Sequence, residues 1–89
     1  MSILKVSIRQ LKAARALLSW SQEDLAEAAQ VSVPTIKRLE AIDGPLGGRE
    51  ETVRKLIGTL EDAGVQFIAE NGGGPGVRLR KPLRPVRPK

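Results

Sequence analysis

Cysteine, histidine and tyrosine are all absent from this chain, and tryptophan, phenylalanine and methionine each occur once. Without cysteine there is neither a disulfide nor a thiolate ligand. Without histidine there is no imidazole to serve as a base or to hold a metal, and the two absences together remove most nucleophile–base pairs. A disulfide-stapled secreted scaffold is therefore excluded, and neither an enzyme nor a bound cofactor, metal or small-molecule substrate is expected. No apolar run approaches the roughly 18 residues of a spanning helix. The opening Met1-Ser2-Ile3-Leu4-Lys5-Val6-Ser7 is too short and polar for a signal peptide, so the expectation is a reduced, cytoplasmic protein without membrane contact.

What remains is 89 residues, 40% apolar and 28% charged, the balance of one small soluble domain. Such a chain buries only about 60 to 65% of its unfolded surface, so it must fold compactly or gain stability from an oligomer. The net charge of +5 invites a polyanionic partner, but its distribution is uneven. Residues 1–77 carry nine basic and ten acidic side chains, whereas 78–89 carry six basic and no acidic ones. The whole excess lies in the last twelve residues.

Apolar periodicity predicts a first helix over Ile8–Leu18, with Ile8, Leu11, Ala14 and Leu18 on one face. Ser7 with Gln10 forms a capping-box pattern at its start, and Val6 and Leu11 stand at the positions of a hydrophobic staple. Ser21 with Asp24, flanked by Trp20 and Leu25, repeats that signature and opens a helix over Gln22–Ala29. Ser32 caps a third helix over Val33–Ala41, with Pro34 in the first turn, where a missing N–H costs nothing. Its buried side is expected from Ile36, Leu39 and Ala41 or Ile42. Three glycines and a proline mark 43–48 as a loop, after which Val53, Leu56, Ile57, Leu60 and Ala63 predict a helix over Glu50–Ala63 that ends at Gly64. The period then changes to two: Val65, Phe67 and Ala69 alternate, a glycine-rich turn follows, and Val77 and Leu79 alternate with Arg78 and Arg80, as in a β-hairpin. From Lys81 a proline recurs every third residue, which predicts an extended, disordered basic tail. The expected fold is mainly α, a compact four-helix unit over 1–64, a hairpin over 65–80 and the tail over 81–89.

Only Gln30, Val31 and Ser32 separate the second and third helices, so the two must cross steeply. A short helix bearing Lys37 and Arg38 on its outer face, set behind such a turn, has the geometry of a DNA-reading helix-turn-helix. The residues also resemble a family. Arg15, then Leu17-Leu18-Ser19-Trp20-Ser21-Gln22-Glu23-Asp24-Leu25-Ala26, then Val31-Ser32-Val33-Pro34-Thr35-Ile36-Lys37-Arg38-Leu39-Glu40 resemble the Xre family of Cro-like and phage-repressor-like regulators, over roughly Ser7 to Leu60. The resemblance implies base contacts from Val33, Pro34, Lys37 and Arg38, and phosphate contacts from Gln22, Ser32 and Thr35. It further implies that Ala26 lets the second and third helices approach, that Ile36 is core, and that Arg15 and Glu40 form a structural ion pair.

Two departures stand out. Gln30 occupies the turn position usually held by glycine, at a cost on the order of 1 kcal/mol in the left-handed region. Val33 and Pro34 cannot make bidentate hydrogen bonds to base edges, which leaves Lys37 and Arg38 as the polar readers and gives DNA shape a share in selectivity. Elsewhere plainer roles suffice. Trp20 is expected to cover Leu25 rather than stack on bases, Gly72–Gly76 lacks the residues of a phosphate-binding loop, and Glu23, Asp24 and Glu27 are dipole partners rather than cation ligands.

The expectation is a bacterial-type or phage-type transcriptional regulator, a repressor that binds double-stranded DNA as a homodimer, with the hairpin packed on the helices and supplying a dimer interface. Arg78, Arg80, Lys81, Arg84, Arg87 and Lys89 are expected to add phosphate contacts that do not choose sequence. The alternative is a protein-binding antiactivator or antitoxin-like module that uses the same fold to sequester a protein partner.

Overall fold

A computed structural model describes residues 5–70 and 72–80. Four helices, α1 (Ile8–Leu18), α2 (Gln22–Ala29), α3 (Val33–Glu40) and α4 (Glu50–Asp62), precede a two-stranded hairpin of β1 (Val65–Ile68) and β2 (Gly76–Leu79). The segment 81–89 expected to form a disordered tail lies outside the described residues, and with it Lys81, Arg84, Arg87 and Lys89.

The first three helices start where the sequence provides acceptors for otherwise unpaired N–H groups. Ser7 Oγ accepts from the Gln10 N–H at 3.1 Å while Gln10 Oε1 accepts from the Ser7 N–H at 2.9 Å. The same reciprocal pair joins Ser21 and Asp24 at 3.0 and 2.9 Å. Ser32 caps α3 through the Thr35 N–H, with Pro34 in the first turn. Helix α4 has no side-chain cap, but Glu50 and Glu51 occupy its first turn and pair with Arg54 and Lys55 one turn on. The ends of α1 and α2 use left-handed residues: Ser19 and Gln30 both have φ of 58°. At Gln30 this geometry returns the Val31 N–H to the Ala26 carbonyl at 3.0 Å and turns the chain sharply from α2 into α3.

One apolar cluster joins all six elements. Ile8, Leu11, Leu25, Ile36, Leu56, Leu60 and Val65 are its largest fully buried side chains. Leu18, Trp20 and Val31 pack against its edge, Trp20 in the place the staple pattern predicts. The inner side of α3 departs from expectation. Ile36 and Leu39 are buried, but Ala41 and Ile42 are exposed, Ile42 by 62%, because the helix ends at Glu40 and the chain turns outward. The third inward position is taken by the charged Glu40.

The antiparallel strands pair Val65 with Leu79, Gln66 with Arg78, Phe67 with Val77 and Ile68 with Gly76. Gly64, at φ of 111°, makes the turn from α4 into β1, and its carbonyl accepts from the Arg80 N–H at 2.7 Å. Strand β1 lies against α4 and α1, and β2 lies against α1. Phe67 and Val65 thereby complete the core instead of forming a separate layer. Gln10, only 5% exposed, ties the hairpin to α1: its Nε2 donates to the carbonyls of Ile68 at 3.1 Å and Gly76 at 2.8 Å. The loop after α3 is held by the Ile8 N–H on the Gly44 carbonyl and the Leu46 N–H on the Val6 carbonyl, each 2.8 Å.

Candidate nucleic-acid interface

Helix α3 buries one face and leaves the other to solvent. Ile36 and Leu39 hold it to the core, while Ser32, Pro34, Lys37 and Arg38 are exposed and Val33 and Thr35 are half-buried. Neither Lys37 nor Arg38 makes a side-chain hydrogen bond or ion pair within the described residues, so both charges are available to an outside anion or base edge. Val33 leans on the edge of the core, which leaves part of its side chain exposed beside Pro34. Ser32 and Thr35 are joined to each other, the Ser32 hydroxyl donating to Thr35 Oγ1 at 2.8 Å. The Thr35 hydroxyl keeps its own proton to donate elsewhere.

The Arg15–Glu40 pair that the resemblance implies is present. Arg15 grips the carboxylate with one edge of its guanidinium, Nη2 to Oε1 at 2.7 Å and Nε to Oε2 at 2.9 Å. The Glu40 side chain is 3% exposed and that of Arg15 19%. Burial pushes the Glu40 carboxyl up, but hydrogen bonds from Arg15 and Gln22 outweigh that and hold it below the usual glutamate range. The hydrogen bond to Glu40 raises Arg15 in turn, so both groups are charged. Arg15 Nη1 also donates to the Trp20 carbonyl at 2.9 Å. One guanidinium thus joins α1, the turn before α2 and the end of α3.

Gln22, the first residue of α2, is half-buried, and its Nε2 donates to Glu40 Oε1 at 2.9 Å. This contact gives no signal in the sequence, because the two residues share no helix and no motif spacing. The two hydrogen bonds of Gln10 to the hairpin, 58 and 66 residues away, were equally unreadable; the capping pattern accounts for that glutamine without them. On the hairpin, Arg78 Nε donates to Gln66 Oε1 at 2.9 Å and Arg80 Nη2 to the Glu61 carbonyl at 2.6 Å, so these two arginines serve the fold as well as adding charge.

A mainly apolar groove of about 1120 Å³ lies elsewhere, lined by residues that include Val6, Pro45, Leu46, Val53 and Pro75, with none from α2 or α3. No group of three or more acidic side chains able to hold a metal ion occurs among the described residues. No helix among them is long and apolar enough to cross a membrane.

Residues 11–41, from the middle of α1 to the end of α3, match the family model described as Helix-turn-helix. The match contains α2, the Gln30 turn and all of α3. No curated protein matches the chain.

Proposed function

We propose that this protein is a sequence-specific DNA-binding transcriptional regulator that acts as a repressor by occupying an operator, a reading supported by the match of residues 11–41 to a helix-turn-helix family model. Helix α3 enters the major groove, Lys37 and Arg38 read base edges, and Val33 and Pro34 make apolar contact, as with a thymine methyl. Gln22, Ser32 and Thr35 contact the phosphate backbone and set the register. The observation that carries this reading is the outward pair Lys37 and Arg38, without a hydrogen-bond or ion-pair partner among the described residues, on a helix whose opposite face is locked into the core. The protein acts as a homodimer, with two copies of α3 about 34 Å apart on a pseudo-palindromic site. Nothing in this reading requires a catalytic step, a cofactor or a metal.

The test begins with selection of a binding site from random-sequence DNA. Replacing Lys37 and Arg38 together by alanine abolishes specific binding to the selected site while leaving the melting temperature nearly unchanged. Retained affinity overturns the assignment of α3 as the reader. Equilibrium sedimentation at micromolar concentration, with and without that DNA, finds a dimer; a monomer in both cases refutes the two-fold arrangement.

The near balance of charge over residues 1–77, and a reading surface half of which is apolar, favour a second reading as a module that sequesters a protein partner. Salt separates the two. DNA affinity falls steeply between about 50 and 200 mM through counterion release, whereas an apolar protein contact is far less sensitive.

A further inference from the structure

Resting on the DNA-binding reading, we infer that Glu40 is a positioning residue for the phosphate backbone: locked by Arg15, it orients the Gln22 carboxamide so that one N–H is held and the other is presented at the start of α2.

The argument starts from the chemistry of the acceptor. Glu40 Oε1 receives both Arg15 Nη2 at 2.7 Å and Gln22 Nε2 at 2.9 Å, and Oε2 receives Arg15 Nε at 2.9 Å. A two-point grip from a planar guanidinium leaves the carboxylate no freedom to rotate. A carboxylate only accepts, so it selects the amino side of the Gln22 carboxamide and rejects the oxygen. With one N–H held on Oε1 and the side chain anchored on α2, the amide has little freedom left to turn, and its second N–H is directed away from the carboxylate.

Gln22 is the first residue of α2, where the backbone N–H groups of the opening turn have no intrahelical acceptor and the Ser21 hydroxyl takes only that of Asp24. A side-chain donor of fixed orientation beside them adds to the same anion-attracting end. Because the amide is ordered before DNA arrives, it loses less rotamer freedom on binding. The negative charge of Glu40 does not oppose the phosphate unopposed, since Arg15 lies against the same carboxylate.

Replacing Glu40 by glutamine tests the orientation directly. A glutamine side chain offers either a donor or an acceptor, so it no longer dictates which side of the Gln22 amide faces inward. The experiment measures affinity for a mixed-sequence DNA duplex at low salt, since phosphate contacts are independent of sequence, across the four proteins of a double-mutant cycle. Gln22→Ala is expected to weaken binding about tenfold in the wild-type background and less than about threefold with Glu40→Gln. Equal losses in the two backgrounds overturn the inference, because a merely structural Glu40 lowers affinity without changing what Gln22 contributes.

Glu40→Asp guards against a folding defect. It keeps the charge beside Arg15 but withdraws the carboxylate from Gln22, and it is expected to give the same reduced Gln22 effect with the fold retained. An NMR readout without DNA separates the two levels of argument. In the wild type one Gln22 side-chain N–H is shifted and slowed in exchange relative to its geminal partner, and Glu40→Asp removes the difference. If that signature is present and no duplex binds, the DNA-binding reading fails; if duplex binds and the signature is absent, the positioning role fails.

Discussion

At Glu40 a single side chain joins three helices through its hydrogen bonds. Its carboxylate is almost fully covered, yet it is charged, because Arg15 and Gln22 donate three hydrogen bonds to it. A group whose carboxyl is held below its unfolded value of about 4.3 adds stability above that pH and loses it as pH falls through the lower, folded value. Melting curves of the wild type and Glu40→Gln should therefore differ most near neutral pH and converge below about pH 4. A gap that stays constant through that range would mean that the charge of Glu40 does not contribute. The pair itself was legible, because Arg15 and Glu40 stand in a recognisable pattern, while the third member was not. Gln22 reads equally well as a solvent-facing phosphate ligand, and only the crossing of α2 and α3 brings its amide to the carboxylate. Gln30 was legible for the opposite reason: a turn of three residues between two helices requires a left-handed residue whatever its side chain, and φ of 58° is what it adopts.

At the scale of elements, the helix starts are written locally and the hairpin is not. Serine caps, staples and the first-turn proline act within four residues, so the beginnings of α1, α2 and α3 follow from sequence alone. The alternation of Val65 and Phe67 predicts a strand with one buried face, but not what covers it. That is decided by Gln10, whose Nε2 spans the two strand ends, and by packing on α1 and α4. Gln10→Ala removes half the α1 capping box and leaves two hairpin carbonyls without their donor. It should cost about 2 kcal/mol, with the loss concentrated in faster amide exchange over Val65–Ile68. Protection that falls uniformly across the protein would place the tether elsewhere. The same distinction explains the misjudged end of α3. Periodicity extends an apolar face to Ala41 or Ile42, whereas the paired Glu40 takes the last inward place and the chain leaves the core behind it.

For the molecule as a whole, charge and fold are separable. The residues around the helix-turn-helix are close to neutral, and the positive excess is gathered at the end of the chain. Arg80 belongs to the folded part through its bonds to Gly64 and Glu61, so truncation is best placed immediately after it. Removal of 81–89 should leave melting temperature and preferred DNA site unchanged while lowering affinity and flattening the salt dependence. A changed site preference would assign reading to the tail instead of α3.

Apolar spacing, capping patterns and a three-residue turn are local properties, and from them the sequence by itself determined the order of the elements, the inner faces of the first three helices up to Leu39 and of α4 up to Leu60 though not Ala63, which is exposed, and the outward setting of Lys37 and Arg38. Tertiary structure alone decided which polar side chains meet: Gln22 with Glu40, Gln10 with both strands, Arg15 with the Trp20 carbonyl. The physical reason is that apolar burial depends on a residue's own character and is non-directional, whereas a buried hydrogen bond requires two particular atoms about 3 Å apart, a condition that no stretch of sequence states until the chain has folded.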